Sequence, residues 1–389
     1  MYRMKTYLVH TQTIGGHQME YLHHLYLDAL ERPDDQFVFV VPARFSLDAA
    51  KLEWPEAGNI KIVIMTPDDE VPSGCGILSK GWRNSRTIRK YVRQYHATDV
   101  ILITIMEYLP FLPLFLNRRI RVCGIVYRIY LYEWQDESRL RKWLDVIKYL
   151  LLSRCRVFHR VLMCNDSASS QYLNRLFHTT KFRFMPDPVG ALPDYQGHSL
   201  REELGISQSD KVFLHPGRMS RMNSYKNTLG ILEALCMFHP ESDQKPVVIF
   251  AGQVSQDIRQ EFDALFQKAQ AHARLLLLEG FLPFDRMADL FVTCDYVLIP
   301  YSVKGQSSGI VGHAAYYEKP VVVVKGGVIG KMVRKWKLGY HLADHSAPSI
   351  YSFLCSSLDR VPVSTEGNTY ADDHSVKAFC NIVFDDKLN

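Results

Sequence analysis

The sequence predicts an α/β protein built from two doubly wound parallel sheets. Three observations predict it. Short apolar runs of strand length alternate with stretches of helical periodicity along the whole chain. At 389 residues the chain is longer than one ordinary core organises. Between two such alternating sets lies Met185–Gly197 (MPDPVGALPDYQG), where Pro, Gly and Asp concentrate as in a linker. The expected domains are residues 1–190 and 191–389.

In the first half, Lys5–His10 (KTYLVH) reads as the opening strand. Met19, Leu22, Leu25, Tyr26 and Leu30 then share one helical face, so Gly15 and Gly16 sit between strand and helix. Strands follow at Phe37–Val41 (FVFVV), Ile60–Met65 (IKIVIM), Val100–Thr104 (VILIT), Arg121–Tyr130 (RVCGIVYRIY) and Val157–Cys164. Between them, Ser85–Tyr95 is a basic helix and Leu109–Leu116 a short apolar segment with two prolines. Ser138–Ser153 is amphipathic, with Leu140, Trp143, Leu144, Ile147, Leu150 and Leu151 along one side, and Ser167–Leu176 is a helix.

The second half repeats the scheme. Strands are expected at Lys211–His215, Val247–Ala251, Leu275–Glu279, Tyr296–Pro300 and the valine run ending at Val324. Helices are expected at Asn227–Phe238, Gln256–Ala271, Phe284–Cys294, from Ser308, at Met332–Trp336 and at Ser349–Leu358, with a last short one within Ser375–Phe384. The pattern is two Rossmann-like domains with a cleft between them.

Composition narrows the class. Hydrophobic content of 47% with 22% charge describes a globular chain with a large core. MYRMKTYLVH carries no signal-peptide apolar region, and no apolar run approaches the ~20 residues that span a bilayer. The eight cysteines are scattered without a C-x-x-C pair, which points to reduced core thiols in a cytoplasmic protein and away from a zinc site. Net charge is +5, but residues 80–160 hold 17 Lys/Arg against 6 Asp/Glu, a surplus of 11. Arg83, Arg86, Arg89, Lys90 and Arg93 recur along one helix there. The expected partner of that surplus is an anionic membrane surface rather than nucleic acid.

Two stretches carry chemistry. Ser302–Val324 (SVKGQSSGIVGHAAYYEKPVVVV) reads as a polar loop, a helix starting near Ser308, and a strand. A helix start at the carboxyl end of a buried strand offers unpaired N–H groups and a partial positive charge, which suit phosphate. Gly309 lets an anion approach the backbone, and Ser307 and Ser308 add hydroxyls at capping positions. Arg218 and Lys226 flank the mouth of the first strand–helix unit of the second half. Two cations at a helix start oppose its dipole, so an anionic ligand such as a diphosphate is expected between them.

These stretches together resemble the GT-B glycosyltransferases, in particular the large retaining family that uses nucleotide sugars to build polysaccharides and glycolipids. The matching pieces are TIGGHQMEYLHHL, PGRMSRMNSYKN, EGFLPFDRMADLFVTCDYVLIPY and SSGIVGHAAYYEKPVVVV. The resemblance implies a hexosyltransferase that acts on a nucleotide-diphosphate sugar and a polysaccharide, glycolipid or lipid-linked acceptor. It implies no cofactor and no metal. Arg218 and Lys226 would hold the diphosphate as the catalytic pair. Gly15, Gly16, Phe281, Leu282, Ser307, Ser308, Gly309, Ile310 and His313 would line the donor, and Glu107, Tyr127 and Arg128 would stand on the acceptor side.

The chain departs from that family at three places. Two glutamates eight residues apart are replaced by Gly305 and His313. The Arg-to-Lys spacing of eight is about three longer than usual in the family. A histidine expected after the Arg121–Tyr130 strand is absent, with Tyr127 or Arg128 in its place. A nucleotide-sugar 2-epimerase of the same fold, or a binding module without turnover, are the rival expectations.

Overall fold

In the computed structural model the alternation resolves into two sheets, both parallel throughout. The structure describes residues 4–14, 17–49, 52–72, 74–135, 137–189, 197–221, 226–239, 244–280 and 282–384. Two compact units emerge. The first is Met1–Pro188 together with Val376–Asn389, and the second is Val189–Ser375.

The first unit runs β1 (Thr6–His10), α1 (His17–Leu30), β2 (Gln36–Val41), α2 (Phe45–Ala49), β3 (Ile60–Ile64), α3 (Ile77–Gln94), β4 (Asp99–Leu102), α4 (Leu112–Phe115), β5 (Arg121–Val126), α5 (Arg139–Arg154), β6 (Phe158–Cys164), α6 (Ser167–Phe177) and β7 (Phe182–Met185). Its sheet order is β3-β2-β1-β4-β5-β6-β7. Covered on both faces, the central strands need side chains that tolerate burial on either side, hence runs such as FVFVV.

The second unit runs β8 (Val212–Pro216), α7 (Thr228–Leu235), β9 (Val247–Ala251), α8 (Arg259–Ala269), β10 (Arg274–Leu278), α9 (Phe284–Thr293), β11 (Tyr296–Ile299), α10 (Gly309–Tyr316), β12 (Val321–Val324), α11 (Gly327–Lys335), β13 (Gly339–Leu342), α12 (Ala347–Ser357) and α13 (Gly367–Asp373). Its order, β10-β9-β8-β11-β12-β13, reverses direction between β8 and β11. The loops leaving those two strands therefore diverge, opening a crevice at their carboxyl ends. Edge strands β7 (FRFM) and β13 (GYHL) escape sequence reading because neither has a continuous apolar run.

The last helix, α14 (Val376–Phe384), corrects the expected boundary. Residues 376–384 belong to the first unit, not to 191–389 as a block. Phe379, Cys380, Val383 and Phe384 are buried in the first unit's core. The Phe384 ring meets Tyr7 and Phe37 edge-on, each at 5.3 Å. The buried Arg160 guanidinium donates from Nη1 to the Ile382 carbonyl at 2.7 Å and from Nη2 to the Val383 carbonyl at 2.9 Å. A cation there satisfies carbonyls that a helix end leaves open and complements its dipole.

A second correction concerns α5. Leu140, Trp143, Leu144, Ile147 and Leu150 mark the expected core side, yet all five are exposed. The buried residues of α5 are Asp145, Tyr149, Leu152 and Ser153. Tyr149, fully buried, packs edge-on against Phe182 and anchors the helix by this other face. All eight cysteines are free thiols, four of them buried.

Candidate functional site

The crevice at β8 and β11 gathers part of the predicted set. β8 ends in Pro216, and the chain turns through Gly217 at φ +104°, a left-handed conformation that favours glycine. The turn then runs beside the loop after β9. The Gly217 amide donates to the Ala251 carbonyl at 2.7 Å, Met219 to Gln253 at 2.9 Å, and Ser255 back to Met219 at 2.9 Å. Two loops zipped together in this way carry Arg218 on a rigid support. Its Nε donates to Ser255 Oγ at 3.0 Å, and no described residue takes its two Nη groups. Its four remaining N–H donors are held ready on one fixed fork.

Lys226 folds back over the same turn. A Cβ added at Gly217 would collide with its Nζ, so the ammonium lies against the backbone next to Arg218. Burial alone lowers its pKa from the ordinary lysine value to about 8. Among the described residues no carboxylate pairs with it. A half-buried cation with no described counter-charge, beside a half-paired guanidinium, is an arrangement that an anion would complete.

Beneath this pair lies His215, which the sequence reading treated only as the end of a strand. It is fully buried, with Nδ1 at 3.0 Å from the Leu298 carbonyl of β11 and Nε2 at 2.9 Å from Thr228 Oγ1 in the first turn of α7. Burial, aided by the charge of Lys226, pushes its pKa down to about 4, so at neutral pH it is an uncharged brace tying β8, β11 and α7. Thr228→Val keeps the shape and removes the hydroxyl. The expected loss is about 1–3 kcal/mol of stability for one buried, unpaired imidazole nitrogen, measurable by urea denaturation.

Across the crevice, α10 starts at Ser308, whose extended backbone is an N-cap conformation. The Ser308 side chain makes no cap hydrogen bond, so the expected capping role of that hydroxyl is not realised. The amides of Gly309 and Ile310 fall in the first turn, where no intrahelical acceptor exists. Ser307 is half-buried just before the helix. His313 lies one turn further in, its ring stacked on Phe291 of α9 at 5.9 Å, as a packing residue of the helix. Leu282 follows β10, two strands away, and packs against the unit's core. Gly15, Gly16 and Phe281 lie outside the described residues.

The first-unit candidates follow the neighbouring strands β4 and β5. Glu107, expected on the acceptor side, lies in a short 3-10 turn after β4 and is ion-paired to Lys80 at 2.9 Å. Tyr127 buries its hydroxyl without a partner and tilts against Tyr21 at 5.5 Å, so it is a core residue of the first unit. Arg128 is half-exposed and held by both oxygens of Glu133, at 2.9 and 2.8 Å. Among the described residues no group of three or more His, Cys, Asp or Glu stands in a metal-binding arrangement.

No model of a known protein family matches the chain, and no curated protein matches it. Solved structures do. WaaG, a glycosyltransferase involved in lipopolysaccharide biosynthesis, is 14% identical with a TM-score of 0.67, over 98% of this chain and 100% of that one. The sucrose-phosphate synthase of Thermosynechococcus elongatus is 12% identical with a TM-score of 0.69, over 97% and 96%. HepE of Anabaena, in complex with UDP and glucose, is 15% identical with a TM-score of 0.62, over 98% and 96%. At these identities the likeness is one of fold along nearly the whole chain.

Proposed function

We propose that this chain, whose fold is that of the GT-B glycosyltransferases, transfers a hexose from a nucleotide-diphosphate sugar to a glycan or lipid-linked acceptor. The observation that carries the reading is the pairing of Arg218 and Lys226 over Gly217. One guanidinium whose Nη donors no described residue takes and one half-buried ammonium with no described counter-charge meet at the strand reversal, where ligands of such sheets bind.

In this reading the diphosphate lies between those cations and the first turn of α10. As the glycosidic bond breaks, positive charge grows at the anomeric carbon and negative charge on the leaving diphosphate. Groups already aimed at that charge stabilise the transition state more than the ground state. Ser255 orients Arg218 and so acts as a positioning residue. The two cations and the helix start neutralise the diphosphate without a divalent metal. The sequence resemblance implies transfer with retention at the anomeric carbon.

The primary test is calorimetric titration with UDP, the nucleotide that HepE binds, and with GDP, each with and without EDTA. Binding that EDTA leaves unchanged supports the reading, and binding that EDTA abolishes overturns the metal-free form of it. Acceptor-dependent release of free nucleotide identifies a transferase. Epimerised nucleotide sugar without release would point to a 2-epimerase, and binding without any turnover to a binding module.

Lys226 adds a pH signature. The diphosphate binds its protonated form, and the free pKa is about 8. Affinity should therefore be flat below about pH 8 and fall by about tenfold per pH unit above it, until the raised pKa of the complex is reached. Binding near pH 8.5 (roughly, by the same linkage) should take up a proton, visible as buffer-dependent calorimetric heat. Lys226→Met should abolish both effects, and a wild-type pH profile in that variant would contradict the assignment.

A further inference from the structure

We infer that the first unit carries a docking surface for an anionic lipid bilayer, formed by the outward face of α5 and by the amino-terminal part of α3 with α4. This surface stands on its own observations and does not depend on the transferase reading.

A helix normally turns its apolar stripe toward the core. In α5 the stripe is turned outward: Leu140 is 73% exposed, Trp143 68% and Leu144 50%, with Ile147 and Leu150 continuing the row. The spacing of these five is that of one helical face, so they form a continuous ridge about three turns long. A second apolar group stands on the same face of the first sheet. Right-handed crossovers place α3, α4 and α5 there together. Ile77 and Leu78 at the start of α3 are 80% and 64% exposed, Leu114 of α4 is 76% exposed, and Trp82 rests edge-on against Phe111 and Phe115 with half its surface free. Helices that follow parallel strands return antiparallel to them. The starts of α3 and α5 thus lie toward the same edge of that sheet, the carboxyl edge.

Exposed apolar area of this extent marks an interaction site, and the charges around it select the occupant. The α5 ridge is flanked by Arg139, Arg141 and Lys142, and α3 presents Arg83, Arg86 and Arg93 to solvent while containing no acidic residue. Among the described acids near the ridge, Glu137 is engaged with Arg141 at 3.4 Å, and Asp145, buried, with Lys148 at 2.9 Å. A basic rim round an apolar, Trp-bearing ridge matches a helix lying in the plane of an anionic interface. The ridge enters the acyl boundary, and the cations meet phosphate headgroups. A second copy fits less well, because it would bring a basic rim of its own and not the anionic groups that this rim would pair with. The ridge lies in the interface without crossing it, and no described helix is long and apolar enough to span a membrane.

The test uses the full chain and vesicles of phosphatidylcholine alone or mixed with phosphatidylglycerol. Flotation with the mixed vesicles only, accompanied by a blue shift of tryptophan emission that Trp143→Phe reduces, is the expected result. Leu144→Ser with Ile147→Ser should weaken binding roughly tenfold at any salt concentration, through lost apolar burial. Arg139→Gln with Lys142→Gln should weaken it by about fivefold per charge at low salt and little at high salt. Arg139, Trp143, Leu144 and Ile147 are exposed and Lys142 is half-buried, so the variants should unfold as the wild type does. Equal flotation with both vesicle types, absence of flotation, or ridge variants that bind like wild type each overturn the proposal. So does a wild-type dimer in solution that the ridge variants dissociate, which would assign the face to a second copy.

Discussion

Arg218→Ala should lower turnover of the proposed transfer by about a hundred- to a thousandfold, the usual cost of one preorganised donor at a developing negative charge. Donor affinity should fall much less, because the diphosphate gains charge only as it leaves. No described residue takes the Nη groups of Arg218 and its Nε is held by Ser255, so the fork is aimed before substrate arrives. Arg218→Lys should recover only part of the rate, since a point charge cannot make a bidentate contact. Lys226→Ala should act in the same direction. If both cations serve one diphosphate, the double variant falls less than the product of the two single effects. Steady-state kinetics with donor titrations on the wild type and the four variants decides the matter. An Arg218→Ala enzyme with wild-type turnover would remove this loop from catalysis, and a loss confined to KM would reassign Arg218 to uniform binding.

Phe379→Ala should cost about 3–5 kcal/mol, the range for deleting a fully buried aromatic ring. The ring has no solvent exposure and lies 4.8 Å from Tyr21 in the first unit's core. Although Phe379 is only ten residues from the end of the sequence, it belongs to the core built by β1, β2 and α1. A thermal melt should show its transition lowered by roughly 10 °C, on the scaling for a unit of this size. A change of a few tenths of a kcal/mol would mean that α14 packs only superficially. The nucleotide-dependent stabilisation of the second unit offers an independent readout, because Phe379 lies outside that unit's contacts.

Much of the architecture was legible because it rests on local signals. The strands β1, β2, β8, β9, β11 and β12 are written as apolar runs, since a strand covered on both faces has no polar side to display. The break after Met185 is written in Pro, Gly and Asp. Arg218, Lys226 and the start of α10 were located by their places after strands, a relation preserved in any doubly wound sheet. Other features carried no local signal. Leu140, Trp143 and Leu144 have the period of a core face, and period alone does not say whether the core lies beneath that face or the opposite one. Tyr127 and Arg128 sit where a strand ends, which does not distinguish a residue facing solvent from one turned under Tyr21 or held by Glu133.

By itself the sequence determined the class of fold, the alternation of elements and the pair of cations in the loop after β8, because each follows from side-chain type at short spacing. Only the tertiary structure decided that α14 returns to the first unit, that Ser255 holds Arg218, that His215 braces the floor as a neutral base, and that the ridge of α5 faces outward. All four are contacts between residues far apart in the chain. Burial, lost solvation and hydrogen-bond partners there depend on which elements meet, and no stretch of local pattern encodes that meeting.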